Sequence, residues 1–283
     1  MRCYLIGYPV GHSMSAVMHN AAFMELGLDF AYHLLEVRPE DLERAASETL
    51  RAPDVRGASV TIPHKVSVMG CLDEIDLEAV RIGAVNTIVN EGGRLKGYNT
   101  DGIGALRAIG ETYGDLRGAR AVILGAGGAA RAISYKLAEN VSEVRILNRT
   151  PSRAEELSDY LSSLRECRAE ISSDGLSRDS IRASLEGADI LINTTPLGMH
   201  PDTEASPVDQ GLLRPDLLVF DAVYNPPTTR LIREAEASGS RILTGVSMLV
   251  YQGVAAFELW TGREAPEAVM MESVLDALGG GGS

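Results

Sequence analysis

The chain has 283 residues, 45% hydrophobic and 23% charged, the profile of a soluble globular protein long enough for two domains. Its formal charge of −13 argues against nucleic acid as a partner, because phosphates call for basic patches. A small anionic ligand stays open, since it needs only a local positive site.

Short β-rich runs alternate with helical patterns along the chain. Strands are predicted at Arg2–Ile6, Phe30–Glu36, Gly57–Ile62 and Ala84–Val89, with helices at Ala16–Leu26, Glu40–Leu50 and Asp101–Tyr113. A second series follows. Its strands are Arg120–Leu124, Glu143–Asn148, Asp189–Asn193, Leu217–Asp221 and Arg241–Leu243, and its helices are Ala129–Glu139, Ser152–Leu164 and Thr228–Ala237. Helices at Ser247–Trp260 and Pro266–Leu278 come last, with no strand after them. Alternation at this spacing predicts parallel sheets covered by helices.

The fold class expected is α/β in two domains separated by a cleft: an N-terminal α/β substrate domain and a Rossmann-type, doubly wound parallel-sheet domain. The boundary is expected near the Asp101–Tyr113 helix, giving residues 1–102 with 246–278 as one domain and 103–245 as the other. The glycine-rich end, 279–283, is set apart as a flexible tail. No stretch of eighteen apolar residues occurs, so no membrane span is expected. The first residues show no export pattern. Three scattered cysteines, Cys3, Cys71 and Cys167, lack ligand spacing and fit free thiols of a cytoplasmic protein without a metal. Oligomeric state stays open at this level, a homodimer being one allowed assembly.

Strand Arg120–Leu124 runs into Gly125-Ala126-Gly127-Gly128-Ala129-Ala130-Arg131 and then a helix, a G-x-G-x-x-A turn in its strand–turn–helix setting. Gly125 permits the tight turn, Gly127 lets a pyrophosphate approach the backbone, and Ala130 lets helix and strand pack. A sharp βα turn without a ligand is the plainer alternative. The next strand ends in Asn148-Arg149-Thr150, where an acidic residue would grip the ribose of NAD. In its place Arg149, with Arg153 one turn later, suits a 2′-phosphate, which favours NADP over NAD.

Four small-polar clusters remain. Ser13 and Ser15 stand beside a helix start, suited either to a carboxylate or to ordinary capping. Val60-Thr61-Ile62-Pro63-His64-Lys65 ends a strand in an amine, which read locally is a solvated charge or a catalyst. Asn86 lies in Gly83–Thr87, and Asp101, in Gly97–Gly102, is as well placed to cap the following helix as to handle a proton.

Taken in order, these motifs resemble the shikimate dehydrogenase family over residues 4 to 278. The match runs through His12–Ser15, Val60–Lys65, Gly83–Thr87, Asn99–Gly102, Gly125–Ala132 and Asn148–Thr150. It continues through Asn193–Met199, Asp221–Pro226 and Gly245–Gln252. The resemblance implies NADPH-dependent reduction of 3-dehydroshikimate to shikimate, on the way to chorismate and the aromatic amino acids. It implies Lys65 and Asp101 as the catalytic pair and Ser13 and Ser15 on the substrate carboxylate. Thr61, Asn86 and Gln252 would bind ring hydroxyls, with Tyr224 near the substrate. Gly127, Gly128 and Ala129 would face the pyrophosphate, and Asn148, Arg149, Thr150 and Arg153 the adenosine phosphate. Thr195, Met199, Gly245 and Met248 would border the nicotinamide, and the C-terminal helices would return to the first domain. One departure is Ala16, where the family usually has proline; alanine is a good helix former, so little change is expected. Two other readings are weighed: a quinate/shikimate dehydrogenase using NAD, and a non-catalytic sensor with the same fold. The Asn148–Thr150 cluster speaks against the first, and Lys65, Asp101 and the glycine turn against the second.

Overall fold

A computed structural model describes residues Met1–Gly279. Of the expected tail, only Gly279 is within this range, where it ends the last helix; the rest of 279–283 lies outside the described residues. In chain order the elements are β1 (Arg2–Gly7), α1 (Ser15–Glu25), β2 (Ala31–Glu36), a short α2 (Leu42–Arg44), β3 (Val55–Val60), β4 (Glu74–Ile75), α3 (Leu77–Ile82), β5 (Thr87–Glu91), β6 (Arg94–Tyr98) and α4 (Asp101–Tyr113). Then come β7 (Arg120–Leu124), α5 (Gly128–Ala138), β8 (Glu143–Asn148), α6 (Pro151–Ser162), β9 (Glu170–Gly175), α7 (Arg178–Leu185) and β10 (Ile190–Asn193). The chain closes with β11 (Leu218–Asp221), α8 (Arg230–Ala237), β12 (Arg241–Thr244), α9 (Gly245–Thr261) and α10 (Glu267–Gly279). Two compact units result among the described residues, Met1–Gly104 with Leu249–Gly279, and Ala105–Met248. No helix among the described residues is long and apolar enough to cross a membrane.

The first unit holds a six-stranded sheet in the order β2-β1-β3-β5-β6-β4. Its β2, β1 and β3 are parallel, but β5 runs antiparallel to both β3 and β6. The expectation of a parallel sheet is therefore corrected here. A tight hairpin at Gly92-Gly93, both with positive φ (65° and 94°), the backbone that a two-residue turn matched to strand twist demands, turns β6 back against β5. The expected regular helix over Glu40–Leu50 is also corrected: a 3-10 turn, one α turn and a π turn follow one another from Pro39 to Thr49. The wider last turn keeps buried Leu50 on the side of Leu42, Ala45 and Ala46.

Trp260 fastens α9 to this sheet, its indole N–H donating to the Ile88 carbonyl at 2.9 Å. Gly57 makes room for it, since a Cβ there would meet Trp260 Nε1 at 2.5 Å. Beside the indole, His19 stacks on Tyr32 at 4.6 Å between ring centroids. Burial pushes the His19 imidazole down to about 3. The unfolded chain binds this proton near the ordinary 6.5, so the contribution is present above that pH and is lost as pH falls toward 3. In urea unfolding followed by Trp260 fluorescence, His19→Phe should gain about 2 kcal/mol on wild type between about pH 7 and about pH 5. Parallel stability curves would refute it.

The second unit holds β12-β11-β10-β7-β8-β9, all parallel. From β7 the strands run outward through β8 and β9 on one side and β10 to β12 on the other, the doubly wound arrangement with its switch point between β7 and β10. Val122, Leu124, Leu191 and Val219 fill one face beneath Leu231 and Ala235 of α8. Strand β9 is the polar edge, Glu-Ile-Ser-Ser-Asp-Gly, without the apolar run that would mark it in sequence.

Candidate active site

In the first unit the turn after β3 is folded by buried His64, whose Nε2 lies 2.6 Å from the Val37 carbonyl. This bond makes His64 a structural residue. Next to it the Lys65 carbonyl receives the Val85 amide at 2.7 Å, which anchors the lysine backbone. Lys65 Nζ donates to Asp101 Oδ2 at 2.5 Å, with the two side chains only 15% and 5% exposed.

Asp101 is the first residue of α4, yet it does not cap it. Asn99 Oδ1 accepts from the Asp101 and Gly102 amides at 3.1 and 3.4 Å, so the cap belongs to Asn99 and the carboxylate is left for other partners. Its Oδ1 accepts from Asn86 Nδ2 at 3.0 Å. The start of α4 also favours a negative group there.

Asn86 is the hub of the cluster. Its Nδ2 reaches Thr100 Oγ1 at 2.9 Å and Gln252 Oε1 at 3.3 Å, while its Oδ1 accepts from the Thr100 amide at 2.7 Å and Thr87 Oγ1 at 3.0 Å. The first unit thus joins Lys65, Asp101, Asn86 and Gln252 in one hydrogen-bonded group. Thr87, Asn99 and Thr100 belong to it too and had no role assigned from sequence. Their signal was present, as small polar residues within Gly83–Thr87 and Gly97–Gly102.

Ser13 and Ser15 form a pair of their own, Ser13 Oγ lying 3.1 Å from Ser15 Oγ. The N-cap position of α1 is Met14, without a side-chain bond, but Ser13 Oγ accepts from the Ser15 amide at 3.2 Å, so Ser13 serves the helix start while the Ser15 hydroxyl caps nothing. The helix forms with Ala16 as its second residue, without the proline ring. Thr61 is half-buried after β3, its amide bonded to the Ile6 carbonyl. No hydrogen bond joins the serines or Thr61 to the Lys65 group among the described residues.

In the second unit, β7 enters its turn at Gly125, whose φ of +114° favours glycine; a Cβ there would also strike Thr194 Oγ1. Gly127 is the N-cap of α5 and offers no side chain to its amides. Nothing stands within 4 Å of where its Cβ would be, the open space a pyrophosphate needs above free helix amides. Gly128 and Ala129 form the first turn, and buried Ala130 packs it on the sheet. At the end of β8, Asn148 Nδ2 bonds the Thr150 carbonyl at 2.9 Å and shapes the bend. Arg149 and Arg153 are exposed, with no ion pair among the described residues. The phosphate cradle and the two free guanidinium groups fit NADP.

Thr195 follows β10, held by Asn193, and Met199 is 43% exposed further along that loop. Gly245 begins α9, where a Cβ would meet the Ala222 carbonyl at 2.5 Å; Met248 is buried one turn on. Tyr224 lies in this unit as well, half-buried in the loop after β11.

A doubly wound sheet with an open glycine turn at the start of its first helix, in a chain that also holds a buried lysine–carboxylate pair, defines a dinucleotide-dependent oxidoreductase. The family models agree: the shikimate dehydrogenase substrate binding domain matches residues 5–88, the shikimate/quinate 5-dehydrogenase domain 108–217 and the shikimate 5′-dehydrogenase C-terminal domain 245–275. The NADP(+) shikimate dehydrogenase of Methanopyrus kandleri is 52% identical over 97% of this chain and 94% of its own. The Thermus thermophilus shikimate 5-dehydrogenase, solved with NADP(H) and shikimate, superposes with a TM-score of 0.87 at 38% identity, covering 98% of this chain and 100% of that one. The quinate dehydrogenase of Corynebacterium glutamicum, solved with NAD, gives 0.86 at 30% identity, covering 98% and 99%. The chain belongs to the shikimate dehydrogenase family.

Proposed function

We propose that this protein catalyses the reversible NADPH-dependent reduction of 3-dehydroshikimate to shikimate, in the cytoplasm, on the route to chorismate and the aromatic amino acids. The observation that carries it is the short Lys65–Asp101 contact at 2.5 Å, inside a unit whose sequence matches the family's substrate binding domain. Residues 1–102 with 246–278 are taken as the substrate domain and 103–245 as the NADP domain.

When bound, NADPH supplies the hydride; the protein supplies a proton, charge and position. Lys65, an ammonium paired with the neighbouring carboxylate, faces the carbonyl oxygen, stabilises the alkoxide as it forms and donates a proton to it. Asp101 orients that ammonium and, with Asn86, binds a ring hydroxyl. In the oxidative direction the same pair takes the proton back. Gln252 and Thr61 fix further hydroxyls, and Ser13 and Ser15 hold the ring carboxylate at the start of α1, where the helix dipole favours an anion. Gly125, Gly127, Gly128 and Ala129 cradle the pyrophosphate, and Asn148, Arg149, Thr150 and Arg153 the adenosine 2′-phosphate. Thr195, Met199, Gly245 and Met248 border the nicotinamide.

Turnover of 3-dehydroshikimate with NADPH, followed as loss of absorbance with shikimate identified as product, tests the reading. Purified, folded protein without this activity would refute it.

A further inference from the structure

Three polar residues of the second unit, Asn193, Asp221 and Thr229, are wholly buried and enter no step above. Asp221 closes β11 beside Asn193, which closes β10. Its Oδ1 accepts from Asn193 Nδ2 and from the Val223 amide, both at 3.0 Å, and its Oδ2 accepts from Thr229 Oγ1 at 2.7 Å. Thr229 is itself the N-cap of α8, accepting from the Ile232 amide. On the other side, Asn193 Oδ1 accepts from the Thr195 amide at 3.0 Å and from Thr195 Oγ1 at 2.6 Å. One carboxylate therefore ties together the loop after β10, the turn after β11 and the start of α8.

A carboxylate can accept three donors at once with two oxygens. An asparagine there would turn an N–H2 group toward one of them. The charge is not placed there to meet a cation. The residues paired or bonded to Asp221 from β10, β12 and α8 are Asn193, Thr244 and Thr229, all uncharged. Burial pushes its carboxyl up to about 6 against the pull of three hydrogen bonds, with no charged neighbour contributing.

We propose that Asp221 is a positioning residue: through Asn193 it holds the loop 194–199 in the shape that receives the nicotinamide end of the cofactor. The proposal rests on the NADP reading above, which puts Thr195 and Met199 of that loop beside the nicotinamide. Asp221 does not touch the cofactor. It acts by fixing the far end of the Asn193–Thr195 chain. As pH falls through about 6, protonation removes an acceptor and loosens the loop.

The test is titration of wild type and Asp221→Asn with NADPH, followed by cofactor fluorescence, at about pH 7.5 and about pH 5.5. At the higher pH the variant should bind about tenfold more weakly, with kcat at saturating cofactor changed far less. Between the two, wild type should lose more affinity than the variant, which has no carboxyl there to protonate, while protonation of the cofactor's own 2′-phosphate is common to both. Equal affinity with parallel pH dependence would overturn the proposal, as would a fall in kcat at unchanged affinity. Should Asp221→Asn not fold, Thr229→Val removes one donor to the same carboxylate. Weaker NADPH binding by it supports the proposal and unchanged binding overturns it. Wild type that binds no NADPH would refute the cofactor reading instead, and this proposal with it.

Discussion

Lys65→Ala should lower kcat by about 10²–10⁴-fold, the range for removal of a general acid–base group, while ligand binding partly survives. The amine is buried to 15% exposure and held at 2.5 Å from Asp101, so it is oriented before any substrate arrives, and its charge acts where little water screens it. Truncation also leaves Asp101 with Asn86 but without its cation. Removing one partner of a buried pair costs about 3–5 kcal/mol, so a lower Tm should accompany the loss. Lys65→Arg separates the two effects. It restores charge, and with it much of the stability, but it places a planar guanidinium that does not give up a proton, so turnover stays low. Steady-state kinetics with thermal unfolding of both variants checks this. Unchanged turnover in Lys65→Ala would remove Lys65 from the mechanism and revive the non-catalytic sensor.

The second large effect is on cofactor choice. With both Arg149 and Arg153 changed to alanine, KM for NADP should rise about thirty- to a hundredfold, while KM for NAD changes little. Each hydrogen bond between an arginine and a phosphate contributes about 1.5–3 kcal/mol, discounted here because both side chains are exposed and screened by salt. Neither arginine forms an ion pair with an acidic side chain among the described residues, so their loss should leave Tm close to wild type. Raising the ionic strength should weaken NADP binding in wild type more than in the double variant. Equal losses for NADP and NAD would mean that the arginines act on something other than the 2′-phosphate.

Sequence patterning worked best where packing is most apolar. Strands β7 and β8 fall where their hydrophobic runs placed them, and so does helix α4. Patterning missed β9, a polar edge strand, and it missed β6, although Gly92-Gly93 carried the hairpin signal. Four- to eight-residue apolar runs do not say which way a strand points, and β5 was therefore read as one more parallel strand.

At the site, local chemistry left Lys65 between solvated charge and catalyst, and Asp101 between cap and catalyst. The family motifs decided in favour of the catalytic reading. The structure adds a physical reason: Asn99 caps α4 and frees Asp101 for Lys65 and Asn86. The Asn193–Asp221–Thr229 group was not legible, because its members are 28 and 8 residues apart and each alone reads as an ordinary strand end or helix cap.

The most direct measurement is kcat/KM for shikimate and for quinate, each with NADP and with NAD. Shikimate with NADP should give the highest value, NAD should be the poorer cofactor for either acid, and quinate the poorer acid with either cofactor. Higher efficiency for quinate with NAD would contradict both the ring acid and the cofactor proposed here.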